Sequence, residues 1–102
     1  HVLSRGKGAV ILNACHFSAW DDPNFRPDFR WNPKTPFIDI QAGTLNMSAC
    51  VFKDFGNTPQ SHVRIGDGVR SAAVVGNTAE EGPLKVENLS KGMVQLVGNA
   101  GM

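Results

Sequence analysis

The sequence predicts an all-β fold, a solenoid of about four stacked turns, and three observations carry that prediction. Breakers are dense, with eleven glycines and six prolines in 102 residues, and no stretch sustains the apolar period of a helix between them. The apolar segments are short, rich in β-branched residues, and several alternate apolar with polar as a strand with one buried face does. The chain also repeats itself at offsets that bring its apolar positions into columns.

The strand candidates run in order: Ala9 to Leu12, Phe37 to Ile40, Val63 to Ile65, Ala73 to Val75, Leu84 to Val86 and Val94 to Val97. Residues 9–17 align with 44–52 at an offset of 35 and share Ala, Cys and Phe. Residues 74–79 align with 96–101 at an offset of 22 through Val-Gly-Asn. Joining the two alignments by their apolar positions sets Leu12, Met47, Val74 and Leu96 in one column, with steps of 35, 27 and 22. Each step contains an earlier strand candidate, so each turn carries at least two strands.

One turn of this length cannot bury its own inward face. Neighbours must therefore stack in parallel, about 4.8 Å apart, and share an apolar interior. A turn of 22 residues falls inside the range of roughly 20–45 for stacked repeats. Longer turns send their extra residues out as loops, so loops are expected toward the first turns. Aligned Asn77 and Asn99 are expected to bond backbone groups left unpaired at a corner. Cys15 and Cys50 align with one another and lack the CxxC spacing of a zinc site. They read as two small buried thiols, with a disulfide between them as the alternative.

Composition removes several classes of function. The chain is 41% apolar and 19% charged, with a net charge of +1 and no basic block, so neither a nucleic-acid nor a membrane-surface footprint is expected. No apolar run is long enough to span a bilayer. The opening His1-Val2-Leu3 is neither an initiator nor a signal peptide, which reads as a chain cut or matured from a longer one. Residues 1–102 read as a single domain of such a chain. Residues 18–36 form its longest insertion, with four prolines and both tryptophans. Trp20, Arg26, Arg30 and Trp31 are the candidate ligand contacts there, because sugars stack on aromatic rings while charged groups take their polar substituents. Anchoring of the loop against the sheet wall is the competing reading for the same rings. His1, His16 and His62 read as surface or corner residues without a partner at metal-ligand spacing, and neither metal nor cofactor is expected.

Four segments carry a resemblance: Ile11 to Phe17, Met47 to Phe52, Val74 to Asn77 and Val86 to Leu96. Their succession of strand, corner and strand, over about residues 8–101, resembles the right-handed parallel β-helix proteins of the pectate-lyase and polygalacturonase-like superfamily. The resemblance implies a right-handed parallel β-helix of about four rungs. It further implies the C-terminal portion of a polysaccharide hydrolase or lyase, extracellular or periplasmic. A non-catalytic carbohydrate-binding or tail-spike-like assembly module is the alternative. Its partners would be a polysaccharide or oligosaccharide, the remaining rungs of a parent chain, or a second copy stacked on an open edge. Of the hydrolase clusters, Asp21-Asp22 supplies an Asp-Asp pair, and Arg64-Ile65 is followed by Gly66 rather than Lys. No Asn-Thr-Asp and no Gly-His-Gly occurs. Because glycoside hydrolysis needs two carboxyl groups, Asp21, Asp22 and Asp28 are the catalytic candidates.

Overall fold

A computed structural model describes residues 1–18, 32, 34–53 and 59–99. Among these residues the protein is all-β, with nine strands and no helix. In chain order they are β1 (Val2–Ser4), β2 (Ala9–Asn13), β3 (His16–Ser18), β4 (Ile38–Ser48), β5 (Val51–Lys53), β6 (Val63–Val75), β7 (Thr78–Ala79), β8 (Val86–Asn88) and β9 (Met93–Val97). Every pairing between them is parallel. The larger sheet has the order β1-β4-β6-β8, with β2 also on β4 and β9 also on β6; the smaller has the order β3-β5-β7.

The columns read from spacing are the hydrogen-bonded register. Leu12 pairs with Met47, Met47 with Val74, and Val74 with Leu96. Val2, Ile38, Val63 and Val86 form a second column of the same sheet. Phe17, Phe52 and Ala79 form one in the smaller sheet. The first three passes of the chain thus cross both sheets, the last is described only in the larger one, and each pass lies beside the next. Alternation decides what faces inward. Ile38, Ile40, Leu45 and Met47 of β4 and Val63, Ile65, Val69, Ala72 and Val74 of β6 are buried. Each such Ile, Leu, Val or Met side chain stabilises the fold by roughly 1.5–3 kcal/mol.

The inward set changes phase inside β4, between Ile40 and Leu45, where the register with β6 shifts between Ile40 and Ala42 and again between Gly43 and Thr44. Gly43 makes this possible. Its φ is 83°, and a methyl group there would run into the carbonyl oxygen of Gly8 on the preceding pass. Only glycine fits both demands. Outside, the column Asp39, Arg64 and Glu87 carries a charge ladder across β4, β6 and β8. Arg64 Nη1 lies 3.4 Å from Asp39 Oδ2, and its Nε 3.4 Å from Glu87 Oε2. Pairs this exposed are worth about 0–1 kcal/mol each.

Between the sheets the packing is aromatic. Phe17 stacks on Phe52 with ring centroids 5.1 Å apart, and Phe52 meets Phe37 at 5.5 Å. His62 completes the cluster, 5.7 Å from Phe37 and 5.2 Å from Phe52. The expectation of a surface place for His62 is therefore incorrect: it is 1% exposed. It turns inward just ahead of β6, and its Nδ1 accepts a hydrogen bond from the Lys85 backbone N–H at 3.0 Å. A buried imidazole with its acceptor nitrogen bonded carries no unpaired polar penalty at that atom. His16 is exposed, as expected, while the exposed His1 leans its ring against Phe37 at 5.1 Å.

Candidate functional site

Seven side chains singled out from the sequence, Trp20, Asp21, Asp22, Arg26, Asp28, Arg30 and Trp31, lie outside the described residues. The flanks of that segment are described. It departs from the end of β3 at Ser18 and returns through a turn in which the Lys34 N–H donates to Asn32 Oδ1 at 2.9 Å. Phe37, the next large residue, is buried in the aromatic cluster.

What the described strands build by themselves is a groove of about 470 Å³ on the outward face of the larger sheet. Two registered rows line it. Ala9, Thr44, Ser71 and Met93 form one; Ile11, Asn46, Ala73 and Gln95 form the other. The floor is low because Thr44, Ser71 and Ala73 are small. Ile11 and Met93 stand at its margins, 72% and 79% exposed. Exposed apolar groups beside amides and hydroxyls suit a ligand with both carbon faces and hydroxyl groups. Among the described residues no lining side chain ionises near neutral pH, so those residues can hold such a ligand without themselves supplying an ionisable acid or base. The column alignment already assigns these positions to one outward face; what it does not show is that three small side chains in the middle leave a hollow.

A second cluster lies at the corner between the two sheets. The residues Ala14, Ala49, Gly76 and Gly98, one per pass, all have positive φ, at 56°, 55°, 67° and 66°. Each is followed by a residue whose side chain serves the backbone of the corner: Cys15, Cys50, Asn77 and Asn99. Asn77 Oδ1 accepts from the Cys50 N–H at 2.9 Å, and Asn99 Oδ1 accepts from the Asn77 N–H at 3.0 Å. Asn77 Nδ2 donates to the Met47 carbonyl at 3.2 Å, and Asn99 Nδ2 to the Val74 carbonyl at 2.8 Å. Cys50 Sγ makes the equivalent contact to Leu12, at 3.5 Å. The cysteines and asparagines, each three residues beyond Leu12, Met47, Val74 and Leu96, thus share one role at the corner.

Burial pushes the Cys50 thiol above the ordinary cysteine range, with further raising contributions from neighbouring Cys15. Among the described residues no group of three or more His, Cys, Asp or Glu is placed to hold a metal ion, and no helix is long and apolar enough to cross a membrane. Compared with known proteins, the chain matches no family model, no curated protein and no solved structure.

Proposed function

We propose that this chain forms about four rungs of a right-handed parallel β-helix, and that it serves a polysaccharide-active protein by holding polymer rather than cutting it. The fold reading is supported by the parallel pairing. Parallel neighbours need a crossover of about a dozen residues or more, usually helical. Here the returns run through the corner and the smaller sheet, and no helix occurs among the described residues. Handedness, and the likeness to pectate-lyase-like proteins, rest on the resemblance in the repeated corner segments.

One observation carries the functional reading: the groove on the outward face joins exposed apolar margins to an uncharged floor in which Thr44, Asn46, Ser71 and Gln95 stand among apolar side chains. Such a lining suits sugar hydroxyls and C–H faces and favours binding over bond cleavage. The composition of residues 18–36 favours a second reading, in which Asp21, Asp22 and Asp28 act beside Trp20 and Trp31 on polymer lying in the groove. Affinity electrophoresis through gels containing neutral, pectic or alginate-like polymers tests both, with reducing-end release measured in parallel. Retardation by a polymer, lost in Ala73→Arg, is expected. Retardation lost only in Trp31→Ala moves the binding site into the insertion, and new reducing ends establish cleavage. Migration unchanged by every polymer sinks the reading.

A further inference from the structure

Cys15 and Cys50 are neighbours across two passes of the chain, each standing just before a strand of the smaller sheet. Register brackets them on both sides, through Asn13 with Ser48 and His16 with Val51. The Val51 N–H donates to the Cys15 carbonyl at 2.9 Å, which seats the two residues directly over one another. Neighbouring strands stand about 4.8 Å apart, inside the Cα separation of roughly 4.4–6.8 Å that a disulfide spans. The two sulfur atoms take equivalent places on neighbouring passes, each against the carbonyl two residues before it. Cys15 Sγ lies 3.6 Å from the Asn13 carbonyl oxygen and Cys50 Sγ 3.5 Å from that of Leu12, adjacent residues of β2. Both are free thiols, Cys15 partly exposed and Cys50 buried.

We propose that Cys15 and Cys50 are an oxidisable pair, which a low-molecular-weight disulfide converts into a bond between the first and second passes. The Cys15 thiolate, the more accessible of the two, attacks one sulfur of the small disulfide. That bond breaks, one small thiol leaves, and a mixed disulfide forms on Cys15. Cys50 then gives up its proton to solvent and attacks the Cys15 sulfur, expelling the second small thiol. Two electrons pass from the protein thiols to the small disulfide, and two small thiols are released. The raised Cys50 thiol fits its place as the second attacker.

The bond would close a ring from residue 15 to residue 50, with the whole 18–36 insertion inside it. It would also serve the first two passes as the asparagines serve the later ones, holding the corner across neighbouring chain segments. The inference stands on the register alone and is independent of any polysaccharide reading.

The test begins with the folded, fully reduced chain and excess oxidised glutathione. Thiol titration, intact mass and a non-reduced peptide map follow the reaction. Loss of both thiols, a mass lower by two hydrogen atoms and a linked peptide holding Cys15 and Cys50 are expected, formed faster in the folded chain than in urea. Cys50→Ser should stop at glutathione on Cys15, and Cys15→Ser should keep its remaining thiol free over the same interval. Any of three wild-type results overturns the proposal: two surviving thiols, arrest at a mixed disulfide, or a linkage formed no faster when folded. Because the wild-type chain alone decides, misfolding of either variant does not blunt the test.

Discussion

The corner at Ala49-Cys50 and the corner at Gly76-Asn77 turn the chain through the same left-handed conformation, with φ of 55° and 67°. They differ in what they ask of the residues. Glycine adopts this conformation without a Cβ penalty, whereas alanine is strained there by about 1 kcal/mol. Asparagine then offers two arms. Asn77 accepts one backbone hydrogen bond from Cys50 and donates another to Met47, both buried. Cysteine offers one soft sulfur, a weak donor and a weak acceptor. Asn77 therefore ties its corner to the preceding pass by two hydrogen bonds, whereas Cys50, from a strained corner, reaches the preceding pass at Leu12 only through a weak thiol contact. The longer step leading into the corner, 35 residues against 27, belongs to the earlier corner. A corner that carries a long excursion is built from the chemistry that oxidation can lock.

The largest expected effect breaks the better-made corner. Asn77→Ala strands the Cys50 N–H in a buried place and removes a side-chain bond to the Met47 carbonyl. At about 1–3 kcal/mol for the unsatisfied group and about 0.5–1.5 kcal/mol for the lost bond, the loss should reach roughly 2–4 kcal/mol. Urea denaturation of the reduced chain measures it. Cys50→Ala removes only a weak thiol contact and some packing, so its loss should be clearly the smaller. Equal losses in the two variants would mean that the corner bonds are not what separates the two regions.

Reciprocal substitutions at the preceding residue come next in size. A methyl group on Gly76 meets no atom within 4 Å, so Gly76→Ala changes backbone conformation and nothing else. It should cost about 1 kcal/mol. Ala49→Gly should act in the opposite direction and by less, because relief of strain is partly offset by added freedom in the unfolded chain. Two thermal melts settle the matter, and shifts of the same sign in both would refute the account of corner strain.

How far this corner is legible in the sequence depends on which half of its chemistry is considered. Leu12, Met47, Val74 and Leu96 align from residue spacing alone, because burial on one face imposes a repeating apolar position and a one-residue slip would expose it. The same spacing carries Cys15, Cys50, Asn77 and Asn99, each three residues further on, but not their shared role, since a thiol and an amide have no likeness as letters. Their common feature is a left-handed residue just before them, which Gly76 and Gly98 advertise and Ala14 and Ala49 conceal. His62 escapes for a related reason. Its burial follows from the aromatic neighbours Phe37 and Phe52 and from the Lys85 N–H, partners from other passes of the chain. The groove is half legible: its rows follow from the alignment, its hollow from side-chain size.

The smallest effect separates the corners by acidity. Asn77 does not titrate, whereas burial raises the Cys50 thiol in the folded chain. A group whose pKa is raised on folding prefers its protonated form there. The stability it contributes is complete below the unfolded thiol value of about 8.5 and is lost as pH climbs through the raised folded value. In the reduced chain, kept so by a phosphine, the urea midpoint should therefore decline through this alkaline window. Lysines titrate there as well, so the informative quantity is the difference between wild type and Cys50→Ala, whose decline should be shallower. Profiles that run parallel would show that the Cys50 sulfur is no more protected in the fold than in the unfolded chain, and the two corners would then differ in hydrogen bonding alone.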